Sequence, residues 1–212
     1  MRRLAIASLL LALLAVATAT AQAAARSKCQ RLKGKDLAPA KTVKLVALAN
    51  DEDGTDLVGC VLPRGKVRTV TSSEDLYTTR YDYALRQVAG RIVLVSSTYS
   101  SQYAFSESTR VVDLRSGRYY TIAYRCQQIT GDNCGDQTAA PAAFVTKLGR
   151  AVAAIGGPGG MTIATFDPFG RRRDLDVATA AELPPESLRL AGVTAYWRHG
   201  GQPRSADISS PG

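Results

Sequence analysis

The most restrictive feature of this chain is a short pattern that it repeats. Val88-Ala89-Gly90-Arg91-Ile92-Val93-Leu94-Val95 resembles Lys147-Leu148-Gly149-Arg150-Ala151-Val152-Ala153-Ala154-Ile155, and Leu190-Ala191-Gly192-Val193-Thr194-Ala195-Tyr196-Trp197 resembles both. Each reads as a strand, a tight turn at Gly and a second strand, because aliphatic and β-branched runs flank a residue that supplies the turn's backbone angles. A second element follows two of these copies, at Val111-Val112-Asp113-Leu114-Arg115-Ser116-Gly117-Arg118 and Thr165-Phe166-Asp167-Pro168-Phe169-Gly170-Arg171. The first unit holds a reduced version, Leu62-Pro63-Arg64-Gly65-Lys66. A sustained helical stripe is almost nowhere found, so the chain is expected to be all-β. The pattern predicts strands near 43–49, 56–62 and 66–71, then 82–88, 91–97, 107–114 and 118–124. Further strands are expected near 143–147, 150–156, 160–167 and 171–175, and finally near 187–190, 193–198 and 202–208.

Gly65 and Gly117 stand 52 residues apart, Gly117 and Gly170 53, and Gly149 and Gly192 43. Periods of that size in a β-rich chain point to a β-propeller-like array of about four antiparallel β-meander units. A two-sheet β-sandwich of similar strand count is the alternative. Both terminal units come up one strand short. Pairing of the two ends would close a ring, with the segment around Cys29 to Lys33 as candidate donor, and closure would remove an aggregation-prone edge. The chain resembles the β-propeller-like repeats of uncharacterised secreted bacterial proteins, in which each unit carries a Gly-Arg hairpin and then an Asp-x-x-[Ser/Thr]-Gly-Arg hairpin. Gly90-Arg91 and Asp113-Leu114-Arg115-Ser116-Gly117-Arg118 carry that likeness best, while Asp167-Pro168-Phe169-Gly170-Arg171 is a shortened form. The resemblance runs over residues 41–208 and implies a fold, not an activity. Two expectations follow: the turns at Gly90, Gly149 and Gly192 belong to successive sheets, and Val93, Val95, Ala153, Ile155, Ala195 and Trp197 point into the core.

Residues 1–23 read as a secretory signal: Arg2 and Arg3, an apolar stretch from Leu4 to Val16, and an Ala21-Gln22-Ala23 cleavage site. Residues 24–40 form an N-terminal segment pinned by Cys29, and 41–212 the β-propeller-like domain. No transmembrane segment is expected, because no later run approaches the length of a span. A lipid anchor is not expected either, since Cys29 follows Lys28 rather than the cleavage point. The product should be secreted, where an even number of cysteines argues for two disulfides. Cys126 and Cys134 enclose a short polar loop and read as a local staple, which leaves Cys29 to join Cys60. Zinc would favour Cys-x-x-Cys pairs or nearby His, and neither is present. Removing Arg2 and Arg3 with the leader leaves 25 basic against 18 acidic residues. That balance implies weak attraction to anionic surfaces but no specific nucleic acid, because Arg64-Gly65-Lys66-Val67-Arg68 and Arg171-Arg172-Arg173 lack interleaved stacking aromatics and read as solvated turns.

Candidate sites are few. Asp51, Asp53 and Asp56 form a calcium candidate with Gly54, although the spacing misses the known loop patterns and a hairpin turn needs no metal. His199 is the single imidazole of the chain and is read as a solvent-exposed turn residue, with no Gly-x-Ser-x-Gly elbow to make a triad. Glu107, Asp113, Asp132, Asp136 and Asp167 could converge for glycoside cleavage only in three dimensions. At Asp113 and Asp167, turn capping explains the carboxylate better. Gly156-Gly157-Pro158-Gly159-Gly160 lacks the spacing of a phosphate loop, and no cofactor is expected. Ser96 to Ser106, with Tyr99 and Tyr103, reads as a long polar-aromatic connection of a composition suited to recognition. These readings favour a secreted, non-enzymatic module that binds an extracellular protein or glycan partner. The alternatives are an extracellular hydrolase whose carboxylates come from separate units, and a structural cell-envelope protein retained by charge.

Overall fold

The computed structural model describes residues 28–38, 41–50, 54–73, 75–76, 79–128 and 137–209. The chain is all-β, with four antiparallel sheets, none closed into a barrel. The first sheet holds β1 (Val43–Ala49), β2 (Thr55–Val61) and β3 (Arg68–Ser73). The second is formed by β4 (Asp75–Leu76), β5 (Thr79–Ala89), β6 (Ile92–Ser101), β7 (Ala104–Asp113) and β8 (Tyr119–Gln128). The third comprises β9 (Ala139–Val145), β10 (Ala151–Gly157), β11 (Gly160–Phe166) and β12 (Arg172–Ala178). After a 3-10 turn at Pro185–Ser187, the fourth sheet holds β13 (Arg189–Ala191), β14 (Thr194–His199) and β15 (Gln202–Asp207). In every sheet, strands adjacent in sequence are neighbours in space.

Side-chain alternation shows how the sheets pack. Along β6, Val93 and Val95 join Val43, Leu45 and Leu57 of the first sheet, while Ile92 and Leu94 join Ala151, Ala153 and Ile155 of the third. Along β10 the next switch occurs: Val152 and Ala154 pack with Ala195, Trp197 and Ile208 at the fourth sheet. Successive side chains of a strand point to opposite faces, so the second and third sheets are each buried on both sides. This explains why β6 and β10 open with near-continuous apolar runs, whereas β14 alternates buried Ala195 and Trp197 with exposed Tyr196 and Arg198. The six residues expected in the core are all buried, and each faces the preceding sheet.

Gly90, Gly149 and Gly192 do lie in turns of three successive sheets, all with positive φ. The likeness between the first two copies is nevertheless displaced by one residue. Ala89 pairs with Ile92 across a two-residue turn, but Val145 pairs with Ala151 across five residues. Val93 and Val152, matched in sequence, therefore face opposite directions, as a one-residue slip requires.

The expectation that Cys29 to Lys33 donates a strand to the last unit is not met. Lys28–Arg31 is a short helix, α1, held to β2 by the Cys29–Cys60 disulfide. Beyond it, Asp36 bridges Val46, and the Leu37 N–H donates to the Leu45 carbonyl at 2.7 Å. The segment thus covers the free edge of β1 and the outer side of the first sheet, where Val46 is fully buried. Among the described residues no hydrophobic cluster joins the fourth sheet to the first. The outer face of the fourth sheet presents exposed polar side chains and Tyr196. Cys126 is buried on β8, and the bridge expected to Cys134 involves a residue outside the described ones, as does the signal at 1–23.

Candidate functional site

The second sheet is longer than its neighbours. Its strands β5 to β8 run 11, 10, 10 and 10 residues, against 7, 7 and 6 in the first sheet. The surplus length projects past the first sheet and leaves part of the second uncovered. Ser96 to Ser106, expected as a connection, is in fact the distal half of β6 and the start of β7, closed by a turn at Gln102 and Tyr103. Ser101 Oγ accepts the N–H groups of Tyr103 and Ala104 at 3.2 and 3.0 Å, which fixes that turn. Polarity suggested a loop, yet Thr and Tyr also favour strands, and buried Ser96 is satisfied across the ladder by Thr109 at 3.2 Å.

Continuing the alternation from Val93 and Val95 places Ser97 and Tyr99 on the side that faces the first sheet. Ser97 meets Thr71 of β3 at 3.1 Å, which marks the border of the covered region. On this face lies an open groove of about 300 Å³ lined by Tyr81, Tyr99, Tyr119 and Tyr124, with Ser97, Ser106, Ser108, Thr121 and Arg110 between them. Tyr81 and Tyr99, directly opposite on β5 and β6, hold their ring centroids 4.6 Å apart at 49°. Arg110 Nε donates to Ser108 Oγ at 3.2 Å, so the guanidinium is held along the groove floor. Among the described residues no carboxylate lines the groove. Tyr99 of the expected pair belongs to this surface, and Tyr103 stands apart at the hairpin tip, 66% exposed. Tyr81, Tyr119, Tyr124 and Arg110 were missed because they come from three other strands, β5, β7 and β8, that only the register unites.

Among the described residues, Glu107, Asp113 and Asp167 each have separate partners. Asp113 Oδ1 accepts the Arg115 N–H at 2.8 Å and the Arg91 Nε–H at 3.1 Å. Asp167 Oδ1 accepts the N–H groups of Phe169 and Arg171, while Oδ2 takes the Arg171 Nε–H at 2.6 Å. Both are turn caps, as read from the sequence. Burial would push the Asp167 carboxyl up, but the Arg171 and Phe169 donors and the Arg171 charge hold it below the usual range. Glu107 pairs with Arg125 at 3.0 Å, and Asp132 and Asp136 lie outside the described residues. Of the calcium candidate, Asp51 and Asp53 lie outside them too. Asp56 is held by Asn50, whose side chain also accepts the Gly54 N–H at 2.8 Å and so builds the hairpin turn itself. Among the described residues no group of three His, Cys, Asp or Glu could hold a metal ion, and no helix is long and apolar enough to cross a membrane.

His199 departs from its reading as an exposed turn residue. It ends β14 half-buried, its Nδ1 2.9 Å from Asp176 Oδ1, and Asp176 Oδ2 also accepts the Trp197 indole N–H at 2.7 Å. Burial pushes the Asp176 carboxyl up, yet the Trp197 and His199 donors and the His199 charge more than offset it and leave it below its ordinary value. A carboxylate with a lowered folded pKa stabilises the fold above its unfolded pKa, and that contribution is lost as pH falls through the folded value. Wild-type protein should therefore lose stability below about pH 4, with a smaller acid loss in Asp176→Asn when melting temperature is followed against pH. Asp176→Ala should cost about 1–3 kcal/mol at neutral pH, because it strands a part-buried indole donor. A melting temperature unchanged in Asp176→Ala would show the cluster to be ornamental.

Compared with known families and with curated proteins, the chain matches no family model and no curated sequence.

Proposed function

We propose that this chain is a secreted, non-enzymatic binding module, a β-propeller-like array whose uncovered tyrosine face holds a glycan. The array reading is supported by four consecutive meanders that stack in chain order, with the second and third sheets buried on both faces. A two-sheet sandwich would bury one face of each sheet. Export is supported by the leader pattern and by the buried Cys29–Cys60 bridge.

One observation carries the ligand class: four tyrosines and a row of hydroxyls share an open sheet face with a single guanidinium. Aromatic rings offer flat apolar surface to the C–H faces of sugars, and their hydroxyl tips, with Ser, Thr and Arg, offer donors and acceptors to sugar hydroxyls. Such a surface is rigid because strands carry it, so little ordering entropy is lost on binding. A buried apolar anchor, the usual centre of a protein interface, is not found in the groove.

Titration with soluble wall-glycan fragments and with neutral glucans tests the proposal. Saturable binding to one of them is expected, weakened at least about tenfold by Tyr99→Ala, which removes a ring and leaves its partner Tyr81 unstacked. Binding that survives Tyr99→Ala and Tyr124→Ala together would remove this face from the reading, and glycan cleavage by the purified protein would replace the binder by the hydrolase.

A further inference from the structure

The cationic clusters that the sequence presents as separate solvated turns are brought together at one end of the stack. The turns after β2, β5, β7, β9 and β11 all open there. A Cβ on Gly117 would stand 2.9 Å from the Arg68 guanidinium, which joins the first sheet's turn to the second's. The Gly90 turn lies against Lys147, and the Tyr120 hydroxyl donates to the Gly149 carbonyl at 2.8 Å, which joins the second to the third. Arg64, Lys66, Arg115, Arg118, Lys147 and Arg171 are all exposed at this end. Its carboxylates are already engaged: Asp113 by Arg91, Asp167 by Arg171, and Asp207 by the Ser209 N–H beside Arg150. The result is a face of nearly one sign.

Two large apolar side chains project from the same face. Phe169 is 69% exposed and Leu148 65%, both at the rim of a cleft of about 170 Å³ between the second and third sheets. Each sits at a turn tip, with Phe169 beside the Arg171 guanidinium, 6.0 Å from its ring centroid. The neighbouring turn between β7 and β8 carries Arg115, Ser116 and Gly117 instead, residues that water solvates without cost. A polyanionic polymer would account for the charges but not for exposed Phe and Leu. Cations flanking apolar tips instead match an anionic bilayer, whose phosphates lie at the surface and whose hydrocarbon begins a few ångströms beneath.

We propose that this end docks on an anionic lipid bilayer, Phe169 and Leu148 entering the headgroup boundary and Arg115, Arg118 and Lys147 meeting lipid phosphates. The contact does not depend on what the tyrosine groove binds, and it meets that groove's end at Tyr119, which lies beside Arg118 and Phe169.

Co-sedimentation of the oxidised protein with phosphatidylglycerol-rich and with pure phosphatidylcholine vesicles tests it. Binding to the first and not the second is expected. It should fall on the order of 100-fold when Arg115, Arg118 and Lys147 are all replaced by Gln, since each cation near a charged surface contributes about fivefold. Replacing Phe169 and Leu148 by Ala should cost a further several-fold on vesicles while leaving retention on dextran sulfate unchanged. All five side chains are exposed, and unaltered melting temperatures would confirm that the variants fold. Equal loss on vesicles and dextran sulfate in the Phe169 and Leu148 variant, retention on dextran sulfate with none on vesicles, or equal binding to both vesicle types would each overturn the proposal.

Discussion

Replacing Cys29 and Cys60 together by Ala should lower the unfolding free energy by about 3–4 kcal/mol and the melting temperature by on the order of 10 °C. The bridge closes a sequence separation of 31, which in the chain-entropy account restricts the unfolded chain more than a short staple does. Its structural setting adds to this, because both cysteines are fully buried and the Val61 carbonyl lies near Cys29 Sγ. Loss of the bridge frees the segment that covers Val46 and the open edge of β1. Hydrogen exchange should consequently rise first along β1 and β2, and much less in the third sheet, whose core is closed by the second and fourth. A melting temperature within about 2 °C of the parent, or exchange rising uniformly over all four sheets, would show that the segment is not what holds the first sheet.

The amount of this fold that could be read beforehand depends on the range of the interactions. Turns are local: Gly90, Gly117, Gly149 and Gly170 need positive φ, and Asp113 and Asp167 cap the turns they begin, so sequence alone locates the hairpins. Strand alternation is local as well, which is why Val93, Ala153 and Trp197 fall where expected. Faces assigned by copying one repeat onto another fail between Val93 and Val152, because a five-residue connection replaces a two-residue turn and shifts every later side chain. Ser96 to Ser106 is polar for a related reason: Ser96 is paired across the ladder by Thr109, Ser97 meets Thr71 of the first sheet and Ser101 holds its own turn, and sequence shows polarity without showing partners. The Asp176, Trp197 and His199 cluster joins two sheets across more than twenty residues. The tyrosine face is further removed still. Its lining is drawn from β5, β6, β7 and β8, and only the strand register places those side chains on one face.

The spacing between the first two sheets provides the second large effect. Leu114, fully buried just after β7, packs with Val43, Leu45 and Leu57 from the opposite sheet, and Gly59 of β2 lies directly beneath it. A Cβ on Gly59 would stand 2.9 Å from Leu114 Cδ2 and 2.7 Å from Leu45 Cδ1. Stacked sheets have a preferred separation of about 10 Å, and two leucines fit across this one because the facing residue has no side chain. Leu114→Ala should therefore cost about 2–5 kcal/mol, the lost transfer energy plus an unfilled cavity. Gly59→Ala alone should cost about 1–3 kcal/mol by overpacking, despite the better strand propensity of Ala. In the double variant the added methyl enters the space that Leu114 vacates, so the total should fall short of the sum by roughly 1 kcal/mol or more. Urea unfolding of the four proteins measures the coupling. Strict additivity would mean that the two positions do not oppose one another, and the face-to-face packing of the first sheet on the second would have to be redrawn.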